Sequence, residues 1–285
     1  MTTIRQAIDR ASDQLNRAGI EAPRRTASTL LAHILQKDMI YILTRPDEVL
    51  TEDVLKQFDE AVNRRASGEP LQYITGHQEF YGLDFIVSPA VLIPRPETEL
   101  IVEDVLKRNT VQGPLILDVG TGSGCLAITL AVNLPQAHVI ALELSSSALE
   151  IARQNAERHG VADRIDFLPS DLFSALEARE PPVQADFIVA NPPYVSESEM
   201  HTLQREVREH EPRLALLSGE DSTAIQRRLF HDAPKFVKPG GYLICEMGYG
   251  QYPAIMKLVD QSLWSLIESV RDLQGLERTL VLQRM

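Results

Sequence analysis

Cysteine occurs only twice in the 285 residues, at Cys125 and Cys245. Two are too few for a disulfide framework, and each is flanked by apolar residues in a predicted core element, so both read as reduced, buried thiols. The seven histidines are scattered without ligand spacing, and no structural metal is expected. Long apolar runs are missing as well: none approaches about 18 residues. Met1-Thr2-Thr3-Ile4-Arg5 opens no apolar segment of signal-peptide length. A soluble, cytoplasmic protein is expected. Positive charge is in deficit, with 28 Lys and Arg against 40 Asp and Glu and a formal net charge of −12. Acids and bases nearly balance up to Pro70, so the deficit lies beyond it. Nucleic-acid binders gain affinity by neutralising phosphates; this balance argues against a dedicated one, although it is compatible with a local basic patch.

What remains is ordinary globular composition, 44% hydrophobic and 24% charged, with room for two domains. Residues 3–66 read as helices. Ile4, Ile8, Ala11, Leu15 and Ala18 form one apolar face ending near Gly19. Pro23 opens a second helix carrying Ala27, Leu30, Leu31, Ile34 and Leu35, and the chain turns around Pro46. Thr51 caps a third, with Glu52 and Asp53 in its first turn and Val54, Leu55, Phe58, Ala61 and Val62 inward. Such stripes are the core of a small bundle rather than a cofactor box. Ser67-Gly68-Glu69-Pro70 breaks the pattern, and residues 79–87 read as a short hairpin turned at Gly82. In Leu92-Ile93-Pro94-Arg95-Pro96-Glu97-Thr98-Glu99, helix capping accounts for Pro96, Glu97 and Glu99. An arginine held between two prolines leaves a site role open. Beyond residue 115 strands (115–119, 139–143, 165–168, 187–190, 242–246) alternate with helices, the pattern of a doubly wound parallel sheet. Residues 263–270 and 278–282, with a turn at Gly275, read as a terminal hairpin adding an antiparallel strand.

The chemistry concentrates at Asp186-Phe187-Ile188-Val189-Ala190-Asn191-Pro192-Pro193-Tyr194. A buried strand stops at two prolines, which fix φ and lack N–H groups, just beyond the carboxyl edge where open α/β sheets bind ligands. Asn191 offers an amide oxygen, Pro192 a carbonyl and Tyr194 an aromatic face. Two acceptors and a stacking surface suit a planar NH2 group. The blander alternative is a strand terminator with Tyr194 as packing.

Asp118-Val119-Gly120-Thr121-Gly122-Ser123-Gly124 follows the first of these strands and opens a helix. Its third glycine comes one residue too early for a dinucleotide fingerprint, and it has no P-loop lysine. Glu143 ends the next strand, at the distance where an acid meets ribose hydroxyls. Asp171 and Leu172 follow the third, where they suit an adenine amine and its ring. A ribose without phosphates beside a glycine turn fits an S-adenosyl sulfonium ligand.

These stretches, together with Gly68-Glu69-Pro70-Leu71-Gln72-Tyr73-Ile74-Thr75-Gly76, Glu79-Phe80-Tyr81-Gly82, Ser170-Asp171-Leu172-Phe173 and Glu211-Pro212-Arg213-Leu214-Ala215-Leu216, resemble the HemK/PrmC family of protein-glutamine methyltransferases. The resemblance implies a Rossmann-like class I methyltransferase sheet preceded by a helical bundle. On it, residues 1–75 are a partner-binding bundle, 76–95 a hairpin linker and 96–285 the methyltransferase domain. It implies S-adenosyl-L-methionine as cofactor, held by Asp118, Gly120, Thr121, Gly122, Ser123, Gly124, Glu143, Asp171, Leu172 and Asn191. Asn191, Pro192, Pro193 and Tyr194 would bind the glutamine, with Asn191, Pro192 and Tyr194 catalytic. The implied substrate is the Gly-Gly-Gln motif of class I peptide-chain release factors. Glu143 departs from the family's usual aspartate, Leu172 from an aromatic residue in some members, and residues 217–222 from a glycine-rich loop. Rival readings are a ribosomal-protein glutamine methyltransferase, a nucleic-acid adenine methyltransferase and an inactive binding scaffold. A monomer is expected.

Overall fold

The computed structural model describes all 285 residues, which divide into two compact units: Met1–His77 with Leu203–His210, and Gln78–Thr202 with Glu211–Met285. The first unit holds α1 (Ile4–Arg17), α2 (Pro23–Leu35), α3 (Met39–Thr44), α4 (Glu52–Ala66) and α5 (Leu71–Thr75). Thr3 and Gln6 form a reciprocal capping box at the start of α1, satisfying two otherwise orphaned donors. Ile4, Ile8 and Leu15 of α1 meet Leu30 and Leu31 of α2 and Phe58 and Val62 of α4 in one core. Thr51 caps α4, with Glu52 and Asp53 in its first turn and Arg64 and Arg65 in its last, the charge order the helix dipole favours.

Periodicity did not reveal α3 or α5. α3 is six residues capped by the Asp38 carboxylate and buries only Ile42, too short to display a helical repeat. Ala18, expected on the apolar face, is exposed because α1 ends at Arg17. The unit also takes in helix α9 (Arg205–His210) from far along the chain. There Glu206 pairs with Arg65 at 2.6 Å.

The second unit begins within β1 (His77–Phe80) and continues with β2 (Leu83–Ile86). Tyr81 and Gly82 between them take φ of +51° and +76°, as a two-residue hairpin turn that follows strand twist requires. Phe80 and Phe85 meet edge to face and lie in the unit's main core. A 3₁₀ turn (Pro96–Thr98) then leads into α6 (Glu99–Arg108). There follow β3 (Leu115–Val119), α7 (Cys125–Asn133), β4 (His138–Glu143), α8 (Ser146–Arg158), β5 (Ile165–Pro169) and β6 (Ala185–Ala190). After these come β7 (Val195–Ser196), α10 (Arg213–Leu216), β8 (Leu217–Gly219), α11 (Ala224–Asp232), β9 (Val237–Glu246), α12 (Tyr252–Ile255), β10 (Trp264–Arg271) and β11 (Glu277–Arg284).

Seven strands form one sheet in the order β10-β11-β9-β6-β3-β4-β5. β9, β6, β3, β4 and β5 run parallel, and the terminal hairpin joins antiparallel through β11 on β9. The expected doubly wound sheet with an antiparallel tail is therefore present. Alternate residues serve opposite faces, as the pleat dictates. Ile116, Val139, Phe187 and Val189 pack with α6 and α7, while Leu117, Ile140, Ile188 and Leu243 pack with α11. From β3 the chain first winds outward through β4 and β5, then returns to lay β6 on the other side of β3. That reversal opens a crevice at the carboxyl ends of β3 and β6.

Candidate active site

A cavity of about 210 Å³ lies at this crevice. Its wall includes Gly120, Thr121, Gly122 and Ser123 after β3, Glu143 after β4, Asp171 and Leu172 after β5, and Asn191, Pro192 and Pro193 after β6. Asp118, Gly124 and Tyr194, grouped with them by sequence, do not line it. Each supports the wall instead.

Asp118 is fully buried. Its Oδ2 accepts from the Thr121 hydroxyl at 2.6 Å and the Ala127 N–H at 3.1 Å, fixing the glycine turn to the first turn of α7. Burial pushes its carboxyl up to about 7, against the pull of those two hydrogen bonds. Gly124 has φ +82°, and a Cβ there would stand 2.8 Å from Ile128 Cδ1, so its glycine serves close packing. At Gly120, φ +78°, a Cβ would meet nothing within 4 Å; its missing side chain keeps cavity space open. Asn155, buried on α8, donates to the carbonyls of Ser123 and Ile86 at 2.9 and 3.0 Å and accepts from the Ile86 N–H at 2.7 Å. One amide thus ties the glycine turn to the hairpin.

Glu143 Oε2 accepts from the Gly122 N–H at 3.0 Å and Oε1 from the Ser145 N–H at 2.9 Å. A carboxylate has about four acceptor sites, so both oxygens retain capacity for a hydroxyl pair. In the next turn Ser170 Oγ donates to the Leu172 carbonyl at 2.7 Å and accepts from the Ala175 N–H. This holds Leu172 at φ +50°, an uncommon conformation for a side chain of its size. Asp171 Oδ2 pairs with Arg228 at 2.9 Å, leaving Oδ1 to a ligand.

At the end of β6, Asn191 Nδ2 donates to Thr98 Oγ1 at 3.0 Å, and the Thr98 hydroxyl donates to Glu246 Oε2 at 2.6 Å. The Tyr194 hydroxyl donates to Glu246 Oε1 at 3.3 Å. Burial and this carboxylate both raise the Tyr194 phenol above its ordinary range. Glu246, itself 2% exposed, is pushed up to about 7 by burial, with Glu97 adding to the rise and Thr98, Tyr194 and Arg278 opposing it. Gln251 Nε2 donates to the Tyr194 carbonyl at 2.8 Å, and a Cβ on Gly248 would press 3.0 Å from Tyr194 Cδ2. No protein donor reaches Asn191 Oδ1 or the Pro192 carbonyl. Both acceptors belong to residues of the cavity wall.

Arg95, whose role sequence left open, also lines the cavity. It pairs with the buried Glu211 at 2.6 Å, and Glu211 accepts from the Ile93 N–H as well. The pair pins residues 93–95 to the segment carrying Pro212 and Leu214, both in the same wall. Cys125 is only partly buried and faces the cavity, contrary to the expectation of a core thiol. Its surroundings, burial first and then Asp118, push the thiol up to about 12, so it stays protonated at neutral pH and is no nucleophile. Cys245 is buried, as expected.

Sequence reading overlooked Thr98, Asn155, Glu246, Gly248 and Gln251. For Glu246 there was a signal: a carboxylate closing an apolar strand requires partners. The space left open at Gly120, the Glu143 oxygens, Asp171 Oδ1 and the aliphatic Leu172 wall fit an adenosyl group. No helix is long and apolar enough to cross a membrane, and no group of three or more His, Cys, Asp or Glu is placed to hold a metal ion.

The chain matches the family model for the PrmC N-terminal domain over residues 6–76 and that for the methyltransferase small domain over residues 96–215. A release factor glutamine methyltransferase of Koribacter versatilis (strain Ellin345) is 45% identical over 280 residues, 98% of each chain. The protein of that name from Geobacter sulfurreducens is 39% identical over 278 residues, 98% of this chain and 95% of its own length. Among solved structures, a methyltransferase from Pyrococcus furiosus superposes with a TM-score of 0.52 at 16% identity, covering 79% of this chain and 98% of its own; that likeness concerns the fold.

Proposed function

The chain belongs to the release factor glutamine methyltransferase family, and from that membership we propose that it methylates the side-chain amide nitrogen of the glutamine in the Gly-Gly-Gln motif of class I release factors. It is an S-adenosylmethionine-dependent protein-glutamine methyltransferase. The bundle of residues 1–75 would engage the protein substrate, the enzyme acting as a cytoplasmic monomer without direct nucleic-acid contact.

When bound, S-adenosylmethionine supplies an electrophilic methyl group on a positively charged sulfur. The backbone of Gly120, Thr121, Gly122 and Ser123 would cradle it, Glu143 would take the ribose hydroxyls, and Asp171 with Leu172 the adenine. An amide nitrogen is a poor nucleophile because its lone pair is shared with the carbonyl. Asn191 Oδ1 and the Pro192 carbonyl accept its two N–H bonds, orienting the nitrogen and favouring the positive charge that grows there. Fixing the nitrogen at reacting distance supplies much of the remaining acceleration. No strong base is required, since the nitrogen becomes acidic only as it gains the methyl. Within that membership, the observation that carries the amide chemistry is the pair of donor-free acceptors, Asn191 Oδ1 and the Pro192 carbonyl, beside the glycine-turn cavity.

The test is incubation with labelled S-adenosylmethionine and, in parallel, a class I release factor, a ribosomal-protein mixture and DNA, followed by peptide mapping. The methyl group is expected on the release-factor glutamine. Incorporation into ribosomal protein or DNA, with none in the release factor, overturns the assignment.

A further inference from the structure

Resting on that glutamine-amide reading, we infer that Thr98 and Glu246 are positioning residues that decide which atom of the Asn191 side chain faces the substrate. An Asn amide has two nearly isosteric ends, one accepting and one donating. Only the oxygen is useful here, because a flipped amide would set its NH2 against the substrate's own NH2. Something must distinguish the two orientations.

The hydrogen-bond chain does so by elimination. Above about pH 7 Glu246 is ionised and acceptor-only, so the Thr98 hydroxyl, 2.6 Å from Oε2, spends its one proton there. Toward Asn191 the hydroxyl can then only accept, and it takes Nδ2 at 3.0 Å. Oδ1 is thereby turned to the cavity. The other carboxylate oxygen takes the Tyr194 hydroxyl. One buried carboxylate therefore anchors both ends of the Asn191-Pro192-Pro193-Tyr194 segment. Thr98 and Glu246 are each 2% exposed, so water does not compete for these bonds. The links join residues far apart in sequence: Thr98 is 93 positions from Asn191, and Glu246 is 148 from Thr98.

The experiment compares Thr98→Val, which keeps the shape but removes the hydroxyl, with Thr98→Ser, which keeps the hydroxyl. Release-factor methylation is measured at saturating cofactor. Thr98→Val is expected to lower kcat at least about tenfold with KM for the release factor little changed, and Thr98→Ser to restore kcat to within about threefold of wild type. Combined with Asn191→Ala, Thr98→Val should lower kcat by less than about twofold further, since the residue it orients is gone. A readout without turnover is the Asn191 side-chain NH2 in a ¹⁵N spectrum, identified by its loss in Asn191→Ala. It should exchange slowly with solvent in wild type and faster in Thr98→Val. Calorimetry with S-adenosylhomocysteine confirms an intact fold, and Thr98→Ala serves if the valine disturbs packing. A near-normal kcat in the hydroxyl-less variant, or an undiminished penalty in the Asn191→Ala background, overturns the inference. Failure of the wild-type enzyme to methylate the release factor would instead overturn the underlying reading.

Discussion

Replacing Glu246 by Gln should change how stability depends on pH. The carboxyl is 2% exposed and rises from an ordinary 4.5 to about 7, chiefly through burial. At 1.36 kcal/mol per tenfold change in proton affinity, that difference is on the order of 3 kcal/mol. The sign follows from which state binds the proton more tightly. Below pH 4.5 the group is protonated folded or unfolded, and its contribution is fully present. As pH rises toward about 7, only the unfolded chain ionises freely, so the contribution falls and is gone above that value. Gln is neutral throughout and serves as the reference. Urea unfolding is followed by fluorescence of the buried Trp264, the only tryptophan and a core residue of the same unit. Between about pH 4.5 and pH 8 the stability difference should move in favour of Glu246→Gln by on the order of 3 kcal/mol. A difference that does not vary with pH would refute the reasoning, because it would mean that this carboxylate is hydrated in the folded protein.

Four further substitutions separate the roles around the cavity. Asn155→Ala leaves the Ile86 and Ser123 backbone groups without partners and should cost about 2–3 kcal/mol in unfolding, with weaker S-adenosylhomocysteine binding by calorimetry. Gly124→Ala places a methyl against Ile128 at a positive φ and should cost at least about 2 kcal/mol of stability. Gly120→Ala meets no neighbour, so beyond its φ penalty its effect should appear in cofactor affinity, read by the same titration. Arg95→Ala removes the 2.6 Å ion pair to the buried Glu211 carboxylate. A loss of about 3 kcal/mol is expected, at the low end for a buried pair because the Arg95 side chain is 30% exposed, and thermal unfolding measures it.

The parallel sheet was legible because its strands are short apolar runs that end in distinctive turns. Residues 115–119 even coincide with β3 from end to end. The hairpin was legible from Gly82, and the switch-point crevice from the order of motifs at successive strand ends. What sequence could not supply were partnerships across long separations. Thr98 reads as an ordinary helix-start threonine until folding sets it between Asn191 and Glu246. Tyr194 offered an aromatic face on paper, yet its hydroxyl points to Glu246 and its ring lies outside the cavity wall. Asp118 has the composition of a ligand-binding acid, but both donors to it come from the protein. Helix α9 gave no sign that it belongs with the amino-terminal bundle, because its tie to Arg65 joins residues 141 positions apart. Periodicity reports a residue's face; it does not report which distant hydroxyl will stand opposite.

Transfer of a labelled methyl group to release-factor glutamine, compared in a single turnover between wild type and Asn191→Ala, bears most directly on the central claim. The account predicts that the variant binds S-adenosylhomocysteine nearly as tightly while its transfer rate falls at least about a hundredfold. Transfer at close to the wild-type rate would contradict it.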